Sequence, residues 1–262
     1  MKLTFLGTGT SFGVPQLGCA CAVCRSDDPR DRRTRVGAVV ESAAGTRLLI
    51  DTPPELRLQL LRSGIDRVDA VLFTHEHADH THGVDDVRGL GPDATLPLPC
   101  YGPPETLDAL VQRFGYVFDR SVRPIPGTSK PEAEPRPLRP GETTVIAGMP
   151  VRPLEIPHGR VRVFGYRIGA LGYVTDAKTV PEPAIAQLRG VEVLVLNALF
   201  RAPHPTHLSI DEAVAVAQQV GAPRTYFTHL THQQGHAALA AMLPAGIAPA
   251  YDGLVVDVGV PG

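Results

Sequence analysis

The sequence predicts an α/β fold in which two mixed β-sheets are flanked by helices. Three observations predict it: short apolar runs recur along the chain, helix-like stretches alternate with them, and the earliest runs follow one another closely enough to pair. The chain has 262 residues, of which 43% are hydrophobic and 20% charged. We therefore expect a single domain over residues 1–262, with a core that needs no disulfides.

Each strand is predicted where a short apolar run lies between turn-forming residues. In chain order these runs are 2–6, 36–41, 46–50, 69–73, 150–155, 161–168, 171–175, 191–196, 224–228 and 254–258. Helical periodicity predicts helices at 54–63, 103–117, 181–189, 209–220 and 234–242. Ser209 followed by Glu212 fits a capping box at the start of the fourth helix. The proline-rich segment 120–142 is interpreted as a long surface loop over a site.

Charge and hydropathy exclude several classes of protein. The formal net charge of −2 argues against a protein whose main partner is nucleic acid or an acidic membrane surface. No apolar run of about 18 residues is present, so no membrane span is expected. The apolar stretch among the first residues is too short for a signal peptide. We therefore expect a cytoplasmic location, where thiols stay reduced.

The densest group of potential metal ligands lies in residues 72–80, LFTHEHADH. This segment follows an apolar strand, so we expect it on a turn at the end of that strand. His75 and His77 can point the same way from an extended turn, whereas Asp79 and His80 begin the next segment and can face a second ion. Imidazole and carboxylate groups suit a borderline divalent cation, and four of them at this spacing favour a metal site.

This segment resembles the HxHxDH motif of the metallo-β-lactamase superfamily, and other family-like segments follow in order over nearly the whole chain. The resemblance implies a metallo-β-lactamase-like αβ/βα four-layer sandwich. It implies that one ion is bound by His75, His77 and His158, that a second is bound by Asp79, His80 and His229, and that Asp176 bridges the two. It also implies that Asp51 supports the site from behind the ligands, and that Asn197 stands where an acidic residue is common.

A second group of metal-ligand side chains is the cluster Cys19, Cys21 and Cys24. In a reducing compartment so tight a cluster points to metal more than to a disulfide, with a free-thiol or redox cluster as the other interpretation. With the Gly-rich start at 7–15, it resembles the subgroup around phosphoribosyl 1,2-cyclic phosphate phosphodiesterase, an enzyme of phosphonate degradation. That resemblance implies a structural zinc completed by a late histidine, His232, with His236 as the competing ligand.

The implied function is hydrolysis of a small phosphodiester, with a cyclic ribose phosphate as the expected class, by a hydroxide shared between two Zn or Mn ions. His207, in the segment HPTHLS, matches a late histidine of the subgroup and is assigned as general acid or transition-state hydrogen-bond donor, beside the catalytic ligand Asp79. The arginines at 30, 32, 33 and 35 are interpreted as a solvated or ion-paired face more than as a phosphate-binding cluster.

Two other functions remain open from the sequence. A tRNA 3′-processing endonuclease would share the metal motif, but segment 120–142 is not basic enough for the arm that grips tRNA. A non-catalytic binding protein like protein B of pyrroloquinoline quinone biosynthesis would share the fold and the cysteines, but the complete ligand set argues against it. The expected partner is therefore a small-molecule phosphodiester; the oligomeric state, a homodimer included, stays open.

Overall fold

Two seven-stranded sheets form the centre of the computed structural model, which describes residues 1–93 and 96–259. The strands of the first sheet are β1 (Lys2–Gly7), β2 (Gly37–Glu41), β3 (Arg47–Ile50), β4 (Ala70–Leu72), β5 (Leu98–Gly102), β6 (Ala133–Pro137) and β14 (Val255–Asp257). The strands of the second are β7 (Thr144–Ile146), β8 (Met149–His158), β9 (Val161–Ile168), β10 (Leu171–Val174), β11 (Val193–Asn197), β12 (Arg224–Thr228) and β13 (Ile247–Pro249).

Both sheets are mixed, and their topologies mirror each other. The first has the order β14-β1-β2-β3-β4-β5-β6, antiparallel from β14 to β3 and parallel from β3 to β6. The second has the order β13-β12-β11-β10-β9-β8-β7, parallel from β13 to β10 and antiparallel from β10 to β7. The predicted pair of mixed sheets is confirmed.

Helices cover the outer faces of the sheets. They are α1 (Leu56–Ser63), α2 (Ala78–Thr81), α3 (Pro104–Arg113), α4 (Gly115–Phe118), α5 (Glu182–Leu188), α6 (Ile210–Val220) and α7 (His236–Met242), with short 3₁₀ turns at Pro29–Asp31 and Val84–Val87. The predicted capping box is present, because the Ser209 side chain accepts from the Glu212 N–H while Glu212 accepts from the Ser209 N–H.

Three apolar clusters hold these four layers together. The largest lies between the sheets and joins residues such as Phe5 and Ile50 of the first to Tyr173 and Val195 of the second. The second packs α5, α6 and α7 against the second sheet, and the third packs α1 and α3 against the first. The layers run helix, sheet, sheet, helix, which confirms the predicted sandwich.

Several local predictions were wrong. Segment 120–142 is not all loop, since it contains β6 at the edge of the first sheet, where prolines such as Pro135 are tolerated. Strands β5, β7 and β13 were missed because they are short and carry Pro, Cys or Thr in place of a long apolar run. The helix predicted at 103–117 is interrupted at Phe114, whose φ of −122° and ψ of 43° leave the helical region.

In the described ranges, no helix combines the length and apolar character that crossing a membrane requires. Parallel strands place their carboxyl ends at one edge of each sheet, and this arrangement positions the site described next. Asp51 follows β3 and the segment 73–80 follows β4 in the first sheet. Asp176 and His229 come just after β10 and β12 in the second.

Candidate metal centre

Of the seven side chains expected to bind two metal ions, six come together in two adjoining groups of three, and the seventh, Asp176, lies between the groups. In each group the ligand atoms lie within 4.8 Å of one another. The first group is His75, His77 and His158, and the second is Asp79, His80 and His229. Within the first, Nε2 of His75 and Nδ1 of His77 are 2.8 Å apart.

Asp176 lies between the two groups. Its Oδ2 is 3.4 Å from Nε2 of His229 and 4.0 Å from Nε2 of His75, and its Oδ1 is 3.5 Å from Nε2 of His80. Burial alone would raise the pKa of this carboxyl, but the charges of His229 and His80 outweigh that effect and hold its pKa well below the usual range. An anionic bridge between two groups of ligands is therefore in place.

The donor set fits a divalent cation. Nε2 of His80 and both ring nitrogens of His229 are buried without a hydrogen-bond partner among the described residues. A buried polar nitrogen without a partner is costly, and lone pairs converging with carboxylates are what Zn²⁺ or Mn²⁺ accept. Burial also lowers the pKa of His75 well below its ordinary value and lowers that of His158, which favours the neutral, ligating form of both rings.

Three residues of the centre have a backbone conformation that side chains rarely adopt. Asp51 (φ 62°), Asp176 (φ 57°) and His229 (φ 54°) are all left-handed, and each lies just beyond the end of a strand. Such positions cost of order 1–3 kcal/mol each and persist only where the surroundings enforce them. The turn aims each side chain back over the edge of its sheet, towards the other ligands.

Asp51 and Asn197 hold the centre from outside the ligand groups. Asp51 is fully buried and accepts two hydrogen bonds of 2.8 Å from Thr74, one from its N–H and one from its hydroxyl. Its carboxylate also lies 2.7 Å from Nδ1 of His80. The Asn197 amide binds both backbone groups of Ala177, accepting from its N–H at 2.7 Å and donating to its carbonyl at 3.1 Å. Asn197 thus fixes the turn after Asp176. A carboxylate at this position could accept the first hydrogen bond but could not donate the second.

His207 lies at the rim of both groups. Its Nε2 is 3.2 Å from Oδ2 of Asp176, and its ring stacks on that of His229 with centroids 4.8 Å apart. About 13% of its side chain is exposed, so it can meet a molecule that enters from solvent. Burial lowers the pKa of His207 below its usual value. This position suits the predicted role of a proton or hydrogen-bond donor.

The cysteines form a separate group with His232. Ligand atoms of Cys19, Cys21, Cys24 and His232 lie within 4.8 Å of one another, with Nδ1 of His232 at 3.5 Å from Sγ of Cys19 and 3.3 Å from Sγ of Cys21. All four cysteines of the chain are free thiols. His236, the competing ligand, lies outside this group: its backbone N–H donates to Asp31 at 2.6 Å, its ring contacts Tyr251, and its Nδ1 has no hydrogen-bond partner among the described residues.

Arg33 is a structural residue that the sequence did not reveal. It is 1% exposed and pairs with Asp31, so of the predicted solvated or ion-paired face only the ion pair is present at this arginine. Its guanidinium donates to the carbonyls of Thr231 and Gln234, the latter at 2.9 Å, and to Asp31 at 3.2 Å. It therefore ties the loop that carries the cysteines to the segment after His229. No feature of the sequence separates it from its arginine neighbours.

One curated relative matches nearly the whole chain. A protein of Porphyromonas gingivalis (strain ATCC BAA-308 / W83) named octanoyltransferase is 40% identical over 256 residues; the match covers 97% of this chain and 51% of that protein. The chain thus spans about half the length of this relative.

Two solved structures are similar over nearly their whole length. A diphosphatase from the PhnP family is 40% identical, with a TM-score of 0.89 and coverage of 97% of this chain and 96% of that one. Zn(2+)-bound PqqB from Methylobacterium extorquens is 20% identical, with a TM-score of 0.81 and coverage of 98% and 100%, a likeness that shows the fold alone.

The family model for the beta-lactamase superfamily domain matches residues 46–230. This segment is well over half of the chain and contains every ligand of the two adjoining groups. The resemblance drawn from the sequence motifs is confirmed, and the chain is a member of the metallo-β-lactamase superfamily.

Proposed function

We propose that the protein is a metal-dependent hydrolase of small phosphoric esters. The observation that carries the proposal is the convergence of six ligands in two groups on either side of Asp176, with His207 beside them. Membership of the superfamily and the likeness to a diphosphatase support a metal-dependent hydrolase in general. The narrower substrate class, a phosphodiester with a cyclic ribose phosphate as the first candidate, rests on the motif resemblance and the intact Asp79.

The first group and Asp176 would hold one ion, and the second group and Asp176 the other. Ions bound in this way lower the pKa of water and neutralise the charge that develops on phosphoryl oxygens. Asp51 keeps Nε2 of His80 directed at the centre, since the carboxylate at 2.7 Å accepts a hydrogen bond from Nδ1. Three left-handed turns fix the carboxylates and His229 before a substrate arrives.

Hydrolysis breaks one P–O bond, and the oxygen that leaves phosphorus must gain a proton. His207 is placed to assist this step from Nε2, which lies 3.2 Å from Asp176 at the solvent-facing rim. A protonated ring can transfer the Nε2 proton and remain as neutral imidazole, whereas a neutral ring can donate a hydrogen bond to the departing oxygen while water supplies the proton. A positioned histidine donor contributes roughly 10²–10⁴-fold to such a step. In this proposal His207 touches the leaving oxygen, whereas the other histidines hold ions.

The cysteine group would hold a third ion in a structural role. Three thiolates and one imidazole make a closed tetrahedral site with no position left for a reactant. Together with Arg33, an ion there would fasten the loop at 8–36 to the segment 229–236. That loop also contacts the residue after His229, since the Leu230 N–H donates to the Thr8 carbonyl at 2.8 Å.

A second candidate reaction is hydrolysis of a diphosphate, which the likeness to a diphosphatase favours. Both reactions break a P–O bond and need the same ions, and they differ in the leaving group, an alkoxide in one and a phosphate in the other. His207 matters more for an alkoxide, because a phosphate leaving group needs less help from a proton.

The test is a panel assay of the protein loaded with Zn²⁺ or Mn²⁺. The panel contains a cyclic ribose phosphodiester, bis(p-nitrophenyl) phosphate, and a dinucleotide joined by a diphosphate. We expect turnover of a phosphodiester, whereas turnover of the diphosphate alone would replace the first candidate with the second. No turnover of any phosphoric ester, or tight salt-dependent binding of tRNA with cleavage of its 3′ end, would contradict the proposal of a small-molecule hydrolase.

A further inference from the structure

Thr206 lies between two histidines that the proposed function uses in opposite ways. Its carbonyl oxygen is 2.8 Å from Nδ1 of His158, and its Oγ1 is 2.8 Å from Nδ1 of His207. One residue therefore contacts the same ring atom of both histidines, once through its backbone and once through its side chain.

The carbonyl contact decides the tautomer of His158. A carbonyl oxygen only accepts hydrogen bonds, so Nδ1 of His158 must carry the hydrogen that it donates to Thr206. The other ring nitrogen, Nε2, then has a free lone pair. This is the form that a metal ligand requires.

The hydroxyl contact is ambiguous by itself, because a hydroxyl can donate or accept. Asp176 resolves it. An ionised carboxylate only accepts, and its Oδ2 lies 3.2 Å from Nε2 of His207, so this nitrogen carries the hydrogen. Nδ1 of His207 is then the acceptor, and the Thr206 hydroxyl donates to it.

His204 offers the Thr206 hydroxyl a second acceptor at a longer distance. Nδ1 of His204 is 3.1 Å from Oγ1 of Thr206, and it also accepts the Thr206 backbone N–H at 3.4 Å. Because the hydroxyl has a single hydrogen, it serves the shorter contact to His207, and the backbone N–H serves His204. In this assignment the two acceptor nitrogens, Nδ1 of His204 and Nδ1 of His207, lie 3.3 Å apart and each has its own donor. The competing arrangement, in which Nδ1 of His204 carries a hydrogen and donates it to His207, predicts that removing the Thr206 hydroxyl has no effect on His207.

The approach of Thr206 to this turn depends on Gly159. A Cβ atom built on Gly159 would lie 2.7 Å from Cγ2 of Thr206, and the glycine has a φ of 60°. Any side chain at this position would push Thr206 away from His158, the residue that precedes the glycine.

We propose that Thr206 is a positioning residue that leaves Nε2 of His158 without a hydrogen and Nε2 of His207 with one. Its carbonyl leaves His158 with a lone pair for an ion, and its hydroxyl leaves His207 with an Nε2–H aimed at Asp176 and the leaving oxygen. The assignment to a leaving oxygen rests on the proposed function, whereas the tautomers themselves do not.

The test compares Thr206→Val, which removes the hydroxyl at nearly constant volume, with Thr206→Ser, which keeps it. Both leave the backbone carbonyl in place, so His158 is an internal control. The first readout is ¹⁵N NMR of the imidazole nitrogens in metal-free protein at a pH where His207 is neutral, with the signals of His207 assigned by their loss in His207→Gln.

We expect the wild type and Thr206→Ser to show the hydrogen of His207 on Nε2, and Thr206→Val to show a mixture of tautomers or the hydrogen on Nδ1. The hydrogen of His158 should stay on Nδ1 in all three. Wild-type protein with the hydrogen of His207 on Nδ1, or a Thr206→Val spectrum equal to that of the wild type, would overturn the proposal.

The second readout is turnover of a phosphodiester by the metal-loaded proteins. In Thr206→Val we expect kcat to fall about 10-fold or more with KM little changed, and in Thr206→Ser we expect kcat to recover. Equal losses in both variants would overturn the role of the hydroxyl. If the wild type cleaves no phosphodiester, the proposed function fails, and the NMR comparison still decides the tautomers.

Discussion

Oδ2 of Asp51 lies 2.7 Å from Nδ1 of His80, and both side chains are fully buried. The same carboxylate accepts two hydrogen bonds from Thr74, one residue before the ligand His75. Asp51 therefore fixes two neighbouring parts of the ligand segment without belonging to either group of candidate ligands. Burial alone would lower the pKa of His80, but the carboxylates of Asp176, Asp51 and Asp79 outweigh it and raise that pKa well above the usual value, so an ion bound at Nε2 would have to displace a proton.

We predict that Asp51→Asn weakens binding of the ion at the second group by about 10–100-fold, the usual effect of losing such a supporting carboxylate. Competition with a chromogenic chelator measures the metal affinity of the wild type and of Asp51→Asn. Asp66→Asn is the control, because the Asp66 side chain is 92% exposed and pairs with Arg47 at the surface. Unchanged affinity in Asp51→Asn would show that His80 needs no partner.

Asp79→Ala should reduce hydrolysis of bis(p-nitrophenyl) phosphate by about 100-fold or more. The substitution removes the one carboxylate that belongs to the second group alone, 3.5 Å from His80 and 3.8 Å from His229. The matched control is Asp85→Ala, since Asp85 is exposed and contacts Arg88 and Tyr116. Near-normal turnover in folded Asp79→Ala would count against a second ion.

Cys21→Ser should lower stability more than it lowers turnover per folded molecule. An ion present at about 1,000 times its Kd stabilises the folded state by about 4 kcal/mol, and this variant loses most of that. Metal content and the melting temperature measure the effect, with Cys100→Ala as the control because Cys100 is buried away from the cluster. Equal metal content and equal melting temperature in Cys21→Ser and wild type would contradict a structural ion.

The thiols should also differ in reactivity once the metal is removed. The hydrogen bond with His232 lowers the pKa of Cys21 to about 6, whereas burial raises the pKa of Cys24 to about 11. At pH 7 Cys21 is mostly thiolate and Cys24 is thiol, so iodoacetamide should modify Cys21 first. Mass spectrometry of the peptide locates the label, and added zinc should protect it. Faster labelling of Cys24, or no protection by zinc, is the contrary result.

The candidate ligands of the metal centre could be predicted from the sequence, because their residue types and their order along the chain were both informative. The segment His75–His80 carries four ligands directly after an apolar strand. His158, Asp176 and His229 are single residues that became informative only through the resemblance of their order to that of a family. The structure brings all of them within one centre.

What could not be predicted depends on contacts between distant segments. The left-handed turns at Asp51, Asp176 and His229 leave no trace in residue type, since glycine is the usual residue for that conformation. Arg33 and Thr206 act through backbone carbonyls or rings of residues far away in the chain. The choice of His232 over His236 likewise depends on where Asp31 lies.

The most direct test is the number of metal ions per chain, measured by elemental analysis of protein purified with its ions and of Asp79→Ala and Cys21→Ser. We predict three ions for the wild type and two for each single variant. The double variant, which combines Asp79→Ala with Cys21→Ser, should hold one. A wild-type protein that binds one ion when every ligand is intact would contradict the paired centre on which the proposed hydrolase depends.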